Sequence, residues 1–178
     1  YLVKTDNGSA PCVTNNLLSL AICKPAIRRC AKVNDIIVGF CAKSMKLNSE
    51  FPQVLYIAKI TNILSLVEYY EIHKERKDCI YDNNLNMIKN NYHTCANTNT
   101  DIRGKNVILS TDFLFFGNKH IDLDSLFYSI VPKYQGHFSK KNSVNEHNFI
   151  QYYNELKLKY ITNLVGKHIH QNSEICKN

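Results

Sequence analysis

Lys24 and Arg28 stand four residues apart in Cys23-Lys-Pro-Ala-Ile-Arg-Arg-Cys30, with further cations at Arg29 and Lys32. On a helical turn this spacing puts both side chains on one face. There they would hold phosphates, Arg28 through the two-pronged geometry that a guanidinium offers an oxyanion. A solvated basic turn is the plainer account of the same residues. Phe113 and Phe115 lie on one side of an extended run, Leu114 and Phe116 on the other. One side must pack a core, and an aromatic strand usually does only that. The sharper reading lines a base-sized pocket, because stacking a base on an aromatic ring contributes about 1–3 kcal/mol. Ser110 and Asp112 would then bond a base edge. Tyr56 and the Tyr69-Tyr70 pair pose the same choice between buried tyrosine and pocket wall.

Other chemistries find less support. The chain has no His-Glu-x-x-His, no Gly-x-Ser-x-Gly and no phosphate-cradling glycine loop. Six glycines in all weigh against a dinucleotide fold, and no cofactor is implied. His168-x-His170 and Cys176 offer three zinc ligands, but structural zinc sites usually carry tighter pairs, and a polar tail is the simpler reading. No metal is expected. Seven cysteines without a Cys-x-x-Cys pair fit a reduced intracellular protein, cytoplasmic or nuclear, better than a disulfide framework.

The elements that must position these residues are short. Pro25 suits a first helical position, where its missing N–H costs nothing. Asn34-Asp35 turns the chain into a β-branched strand at Ile36–Phe40. Asp6-Asn-Gly8 is a turn, and Ser9 to Asn16 reads as a polar, proline-containing loop. Leu17–Cys23 is a strand or one buried helical turn. Val54–Thr61 is the clearest strand. Ser65 and Glu68 have capping-box spacing for a helix through His73. Val107–Ser110 and Phe113–Gly117 are two strands or one bent strand, and a short helix begins near Asp122 or Asp124. Ser143 and Glu146 repeat the capping-box spacing ahead of an amphipathic helix carrying Phe149, Tyr153, Leu156, Tyr160 and Leu164, ended by Gly166. Residues 74–106 read as a long surface excursion, and the tail frays from about 167.

At 178 residues the chain is long enough to bury a core, and no composition break divides it, so 1–178 reads as one domain. A net charge of +7 favours an anionic partner, nucleic acid before membrane. Abundant Lys, Asn, Ile and Tyr also mark an AT-rich genome, which raises lysine for reasons unrelated to binding. No apolar run approaches the roughly 20 residues that span a bilayer. The chain starts at Tyr1 rather than Met, which leaves room for an upstream segment and leaves targeting unread.

Three segments together carry a family likeness. They are Asp6–Pro11 with Leu20–Arg28; Ala31–Gly39 leading through Val54–Thr61 to Glu68-Tyr-Tyr70; and Val107–Gly117. In this order they resemble the second type of nucleotide modification-associated domain, a family associated with DNA-base modification systems. The middle segment is also similar to the PUA-like superfamily of ASCH and EVE/YTH domains, with Asn34-Asp35 in place of their Gly-Asp turn. The resemblance implies an α+β fold built on a small twisted β-barrel or half-barrel with peripheral helices. It also implies recognition of a base, modified or not, in nucleic acid. An aromatic cage of the YTH kind would draw on Tyr56 or Tyr69-Tyr70. Some ASCH proteins hydrolyse modified nucleosides with a Lys, a Thr and a Glu; Lys24 matches the first, and no Thr is convincingly placed.

The expected site is therefore a nucleotide pocket of Ser9, Pro11, Lys24, Arg28, Tyr56, Ser110, Asp112, Phe113 and Phe115. Two alternatives stay open: a hydrolase or transferase acting on a modified base or nucleoside, and a protein-interaction module whose charge is mere composition.

Overall fold

Asn15 and Asn16 both adopt positive φ, 50° and 56°, the conformation that a two-residue hairpin turn demands and that asparagine tolerates. They join β2 (Cys12–Thr14) to β3 (Leu17–Leu20), paired antiparallel from Thr14–Leu17 to Cys12–Ser19. The stretch expected to be loop thus contains a strand, because two side chains suited to the turn let three flanking residues pair. The computed structural model describes residues 1–45, 50–88, 98–134 and 143–170.

Two compact units emerge. One is Tyr1–Lys4, Ile37–Ala58 and Phe113–Lys167; the other is Thr5–Ile36, Lys59–Asp112 and His168–Asn178. The fold is mixed α+β with two sheets, and among the described residues neither sheet closes into a barrel.

The first unit holds β1 (Leu2–Val3), β4 (Ile36–Cys41), β5 (Gln53–Lys59) and β8 (Asp112–Phe115) in that order, with β9 (Ile121–Asp122) also on β5. Every β5 residue from Gln53 to Ala58 is buried, so this strand is covered on both faces. Gly39 on β4 leaves the space that the Tyr56 ring fills; a Cβ there would run into Cε1 and Cδ1 of that ring. The Tyr56 hydroxyl shares a 2.6 Å hydrogen bond with that of Tyr1. The helix α4 (Ser143–Lys159) buries Phe149, Tyr153 and Leu156, as its periodicity predicts. It stops seven residues before Gly166, because the following chain leaves to pair with β8. Phe115 N–H donates to Asn163 O at 2.7 Å, and Val165 N–H to Phe115 O at 2.9 Å. Gly166 therefore serves a close approach to the Phe116 carbonyl, which any Cβ would strike, rather than a helix cap. Leu164, placed on the helix's apolar face by spacing, is 42% exposed. The short helix expected near Asp122 or Asp124 is a 3-10 helix over Ser125–Ile130, with Asp124 at its N-cap accepting from Leu126 N–H at 2.9 Å.

In the second unit the sheet runs β2, β3, β7 (Asn106–Ser110), β6 (Asn62–Ser65), all antiparallel. Around it lie α1 (Pro25–Cys30), α2 (Leu66–His73) and α3 (Thr98–Ile102). Ser65 and Glu68 form the expected capping box, with Glu68 N–H on the serine hydroxyl and Ser65 N–H on the carboxylate. Ala21, Ile22, Leu66, Tyr69, Cys79, Ile80, Tyr81, Val107 and Leu109 make the core. Three of these lie in the 74–106 segment, so its 78–81 stretch is interior rather than surface. An apolar trio is too short to show periodicity amid charged neighbours. Residues 89–97 of that segment fall outside the described residues.

Gly39→Ala should cost about 1–3 kcal/mol, as overpacking does, while Ser65→Ala should cost about 1 kcal/mol through the lost cap. Urea unfolding of both variants checks this, and a larger loss from Ser65→Ala would reverse the ranking.

Candidate functional site

The register of the second sheet sorts the expected residues by end. Cys12 opposes Ser19, Leu20 opposes Ile108, and Ser65 opposes Asn106. One end therefore collects the approach to β2, the exit of β3 into α1, the approach to β7 and the exit of β6 into α2. Ser9, Pro11, Lys24 and Arg28 belong to this end. Ser110 and Asp112 belong to the other, beyond a five-residue strand that spans roughly 13 Å at the usual rise. There the Ser110 hydroxyl sits between two carbonyl acceptors, Lys59 O at 2.6 Å and Asp112 O at 2.7 Å. Tyr56, Phe113 and Phe115 lie in the first unit, each at most 1% exposed.

Arg28 is fully buried. Pro25 starts α1 after Lys24, whose φ of 46° turns the chain sharply. One turn later the Arg28 guanidinium donates from Nε to Cys23 O at 2.7 Å and from Nη1 to Asn106 O at 3.0 Å. Its Nη2 bonds both the carbonyl and the carboxylate of Asp101, the latter at 2.8 Å. Asn106 Nδ2 returns a bond to Arg28 O at 3.1 Å. Gly104 lies flat against the guanidinium; a Cβ there would meet Cζ at 2.5 Å. Tyr81 OH donates to the other Asp101 oxygen at 3.1 Å, and burial, then the Asp101 charge, push that phenol's pKa up. These bonds clamp the 101–106 turn to α1. Arg29, Lys32, Arg103 and Lys105 all remain exposed around the clamp.

The loop leading to β2 is interior, with Asp6, Asn7 and Ser9 at 1%, 2% and 0% exposure. The Asp6 carboxylate takes Ile169 N–H at 3.0 Å and pairs with His168 Nδ1. Asp6 N–H donates to His170 Nδ1 at 3.2 Å, and His170 N–H to Asp6 O at 2.8 Å. The chain is thus anchored through His170 rather than fraying from 167, while 171–178, with Cys176, lie outside the described residues. Among the described residues no group of three or more His, Cys, Asp or Glu side chains is placed to hold a metal ion. Lys77 Nζ donates to Asn7 O at 2.8 Å. Gly8, at φ +82°, sits under the His168 ring.

A further polar network was not legible in sequence. Asp78 accepts from Ser19 Oγ at 2.6 Å and Tyr69 OH at 2.7 Å. Arg76 reaches Tyr69 OH at 2.9 Å, Ser19 Oγ at 2.9 Å, and the carbonyls of Cys12, Thr14 and Leu17. It pins the β2–β3 hairpin to the 74–81 stretch. Burial pushes the Asp78 carboxyl above its usual range, against the opposing pull of Ser19, Tyr69 and Arg76. Burial and then Asp78 push the Cys12 thiol up to about 12, and the same causes take Cys79 to about 11. Tyr69 sits inside this network, which ties its hydroxyl to internal partners.

A family model described as nucleotide modification associated domain 2 matches residues 1–169. No curated protein and no solved structure matches the chain. No helix among the described residues is long and apolar enough to cross a membrane.

None of Cys12, Cys23, Cys30, Cys41 and Cys79 is in a disulfide. The thiolate is the reactive form, and a thiol titrating near 12 is ionised to only about one part in ten thousand at pH 8. Iodoacetamide on the native protein at pH 8 should therefore label exposed Cys30 and spare Cys12 and Cys79. Peptide mapping by mass spectrometry checks it, and early labelling of Cys12 would contradict the buried network.

Proposed function

We propose, for a chain that belongs to the nucleotide modification associated domain 2 family, that it recognises a base or nucleotide in nucleic acid through one end of its second sheet. The observation that carries this reading is the clamp on Arg28. It brings exposed cations from two distant stretches of chain, Arg29 and Lys32 with Arg103 and Lys105, to the sheet end that also holds the buried Asp6–Pro11 loop. The cations and Lys24 hold phosphates, and the loop supplies contacts to the base. Arg28 acts here as the peg that sets its neighbours rather than as a phosphate ligand. Phe113, Phe115 and Tyr56 serve the core of the first unit. The same reading takes the fold as PUA-like, supported by the Asn34-Asp35 turn into β4 and the capped helix that follows β6.

Neutralising phosphates releases counterions, so affinity for a labelled single-stranded oligonucleotide should fall with salt by about 0.7 log units per log unit of salt for each phosphate contacted. Replacing Arg29, Lys32, Arg103 and Lys105 together by alanine should weaken binding about tenfold or more and flatten that slope. Asp112→Asn, at the opposite sheet end, should leave both unchanged. Fluorescence anisotropy across a sodium chloride series decides: absence of binding at low salt, or an unchanged slope in the quadruple variant, overturns the proposal. Loss of binding in Asp112→Asn would move the site to the other end.

A further inference from the structure

The helix α4 is apolar on two faces. Its inward face buries Phe149, Tyr153 and Leu156. On the outward face Ile150 and Leu158 are 41% and 86% exposed, with exposed Asn154 midway between them. At four-residue steps these three make one continuous ridge along the helix. Just past the helix end the chain adds Ile161, 102% exposed. A single apolar residue on a surface means nothing, whereas a contiguous exposed row marks an interaction face. The symmetry of this row identifies its partner. Reversed end for end about Asn154, it again reads apolar, amide, apolar. A second copy laid antiparallel sets Ile150 beside Leu158 of that copy, and Leu158 beside its Ile150. Asn154 then lies on the two-fold axis and meets Asn154 of the second copy. Each amide donates to the other's oxygen, which avoids the cost of about 1–3 kcal/mol for burying a polar group unpaired. Ridges of this four-residue kind, packed against each other, are the commonest contact between helices.

We infer that the outer face of α4 pairs with the same face of a second copy of this chain, antiparallel about a two-fold axis at Asn154. Such a contact is self-complementary, as a two-fold interface must be. Charge sets the direction. Glu146 stands in the first turn of α4, and Lys157 and Lys159 in the last. An antiparallel pair brings the acidic turn of each copy towards the basic turn of the other and opposes the two helix dipoles. A parallel pair would set like against like at both ends. Glu155, nearer the basic end, is bonded by Gln151 Nε2 at 3.0 Å. A helix of seventeen residues is only about 25 Å long. It offers less than the roughly 800 Å² per partner of a stable complex, so the association is weak and concentration-dependent. The helix belongs to the first unit, and its pairing does not depend on the nucleic-acid reading.

Sedimentation velocity of the full chain, without nucleic acid, should show monomer giving way to dimer as concentration rises. Leu158→Glu should weaken that association about tenfold or more, because it places an unpaired charge inside the contact. The native side chain is largely exposed, so the monomer should fold as before, which circular dichroism checks. Direction is read with introduced cysteines and a short bismaleimide, peptide mapping by mass spectrometry separating these links from those of the native cysteines. Asn154→Cys should cross-link to its own copy. Ile150→Cys mixed with Leu158→Cys should give the mixed link, while neither should link to itself, because like positions lie about 12 Å apart along the axis at the usual rise. Monomer at every concentration, undiminished dimer in Leu158→Glu, or self-linking of Leu158→Cys overturns the inference.

Discussion

A guanidinium buried inside the second unit organises the site proposed for this protein. Taking Arg28 out of water is costly, and only its set of internal acceptors makes the position tenable. Two carbonyls on separate segments, Cys23 O and Asn106 O, and both kinds of oxygen on Asp101 take its protons. Removing one partner of such a pair leaves the other charge buried and uncompensated, typically a loss of about 3–5 kcal/mol. Lysine is a poor substitute, because an ammonium lacks the planar fork that reaches acceptors on two sides at once. Gly104 is bound up with the same requirement, since the guanidinium lies where its Cβ would be. The consequence reaches the surface: α1 and the 103–105 turn cannot separate without breaking the clamp, so their exposed cations stay together.

Arg76 does comparable work on the far flank of the same sheet. It donates to three carbonyls of the β2–β3 hairpin, and it joins the Asp78–Tyr69–Ser19 network. Its presence changes how the net charge of +7 is to be read. Arg28 and, in large part, Arg76 are interior components, but so are the Asp6, Asp78 and Asp101 carboxylates, so the formal count does not describe how charge is distributed on the surface. Placement of the remaining cations, more than their number, supports an anionic partner.

Much of the fold was legible because local chemistry and tertiary packing agree there. Pro25 opens α1, Ser65 and Glu68 cap α2, and the β-branched run of β4 is a strand. Legibility failed where a residue's partners lie far along the chain. Arg28 looks like a surface cation until Asp101, seventy-three positions on, is beside it. Cys79-Ile-Tyr81 looks like loop until the sheet supplies a core for it. The β2–β3 hairpin is masked by its polar turn, although Asn15-Asn16, two residues that tolerate positive φ, is a local hairpin signal. Ser9 and Pro11 enter the proposed site through family likeness, and their burial depends on packing that the local turn signal at Asp6-Asn-Gly8 does not report.

The central claim is that one end of the second sheet is the nucleic-acid face. Titrating the isotopically labelled protein with a short single-stranded oligonucleotide, and following backbone amide shifts by NMR, addresses it directly. The account predicts the largest perturbations at residues 7–11, 24–32 and 103–106, with Ser110, Thr111 and Asp112 little changed. Perturbations concentrated at Ser110–Asp112, or spread evenly over the protein, would contradict it.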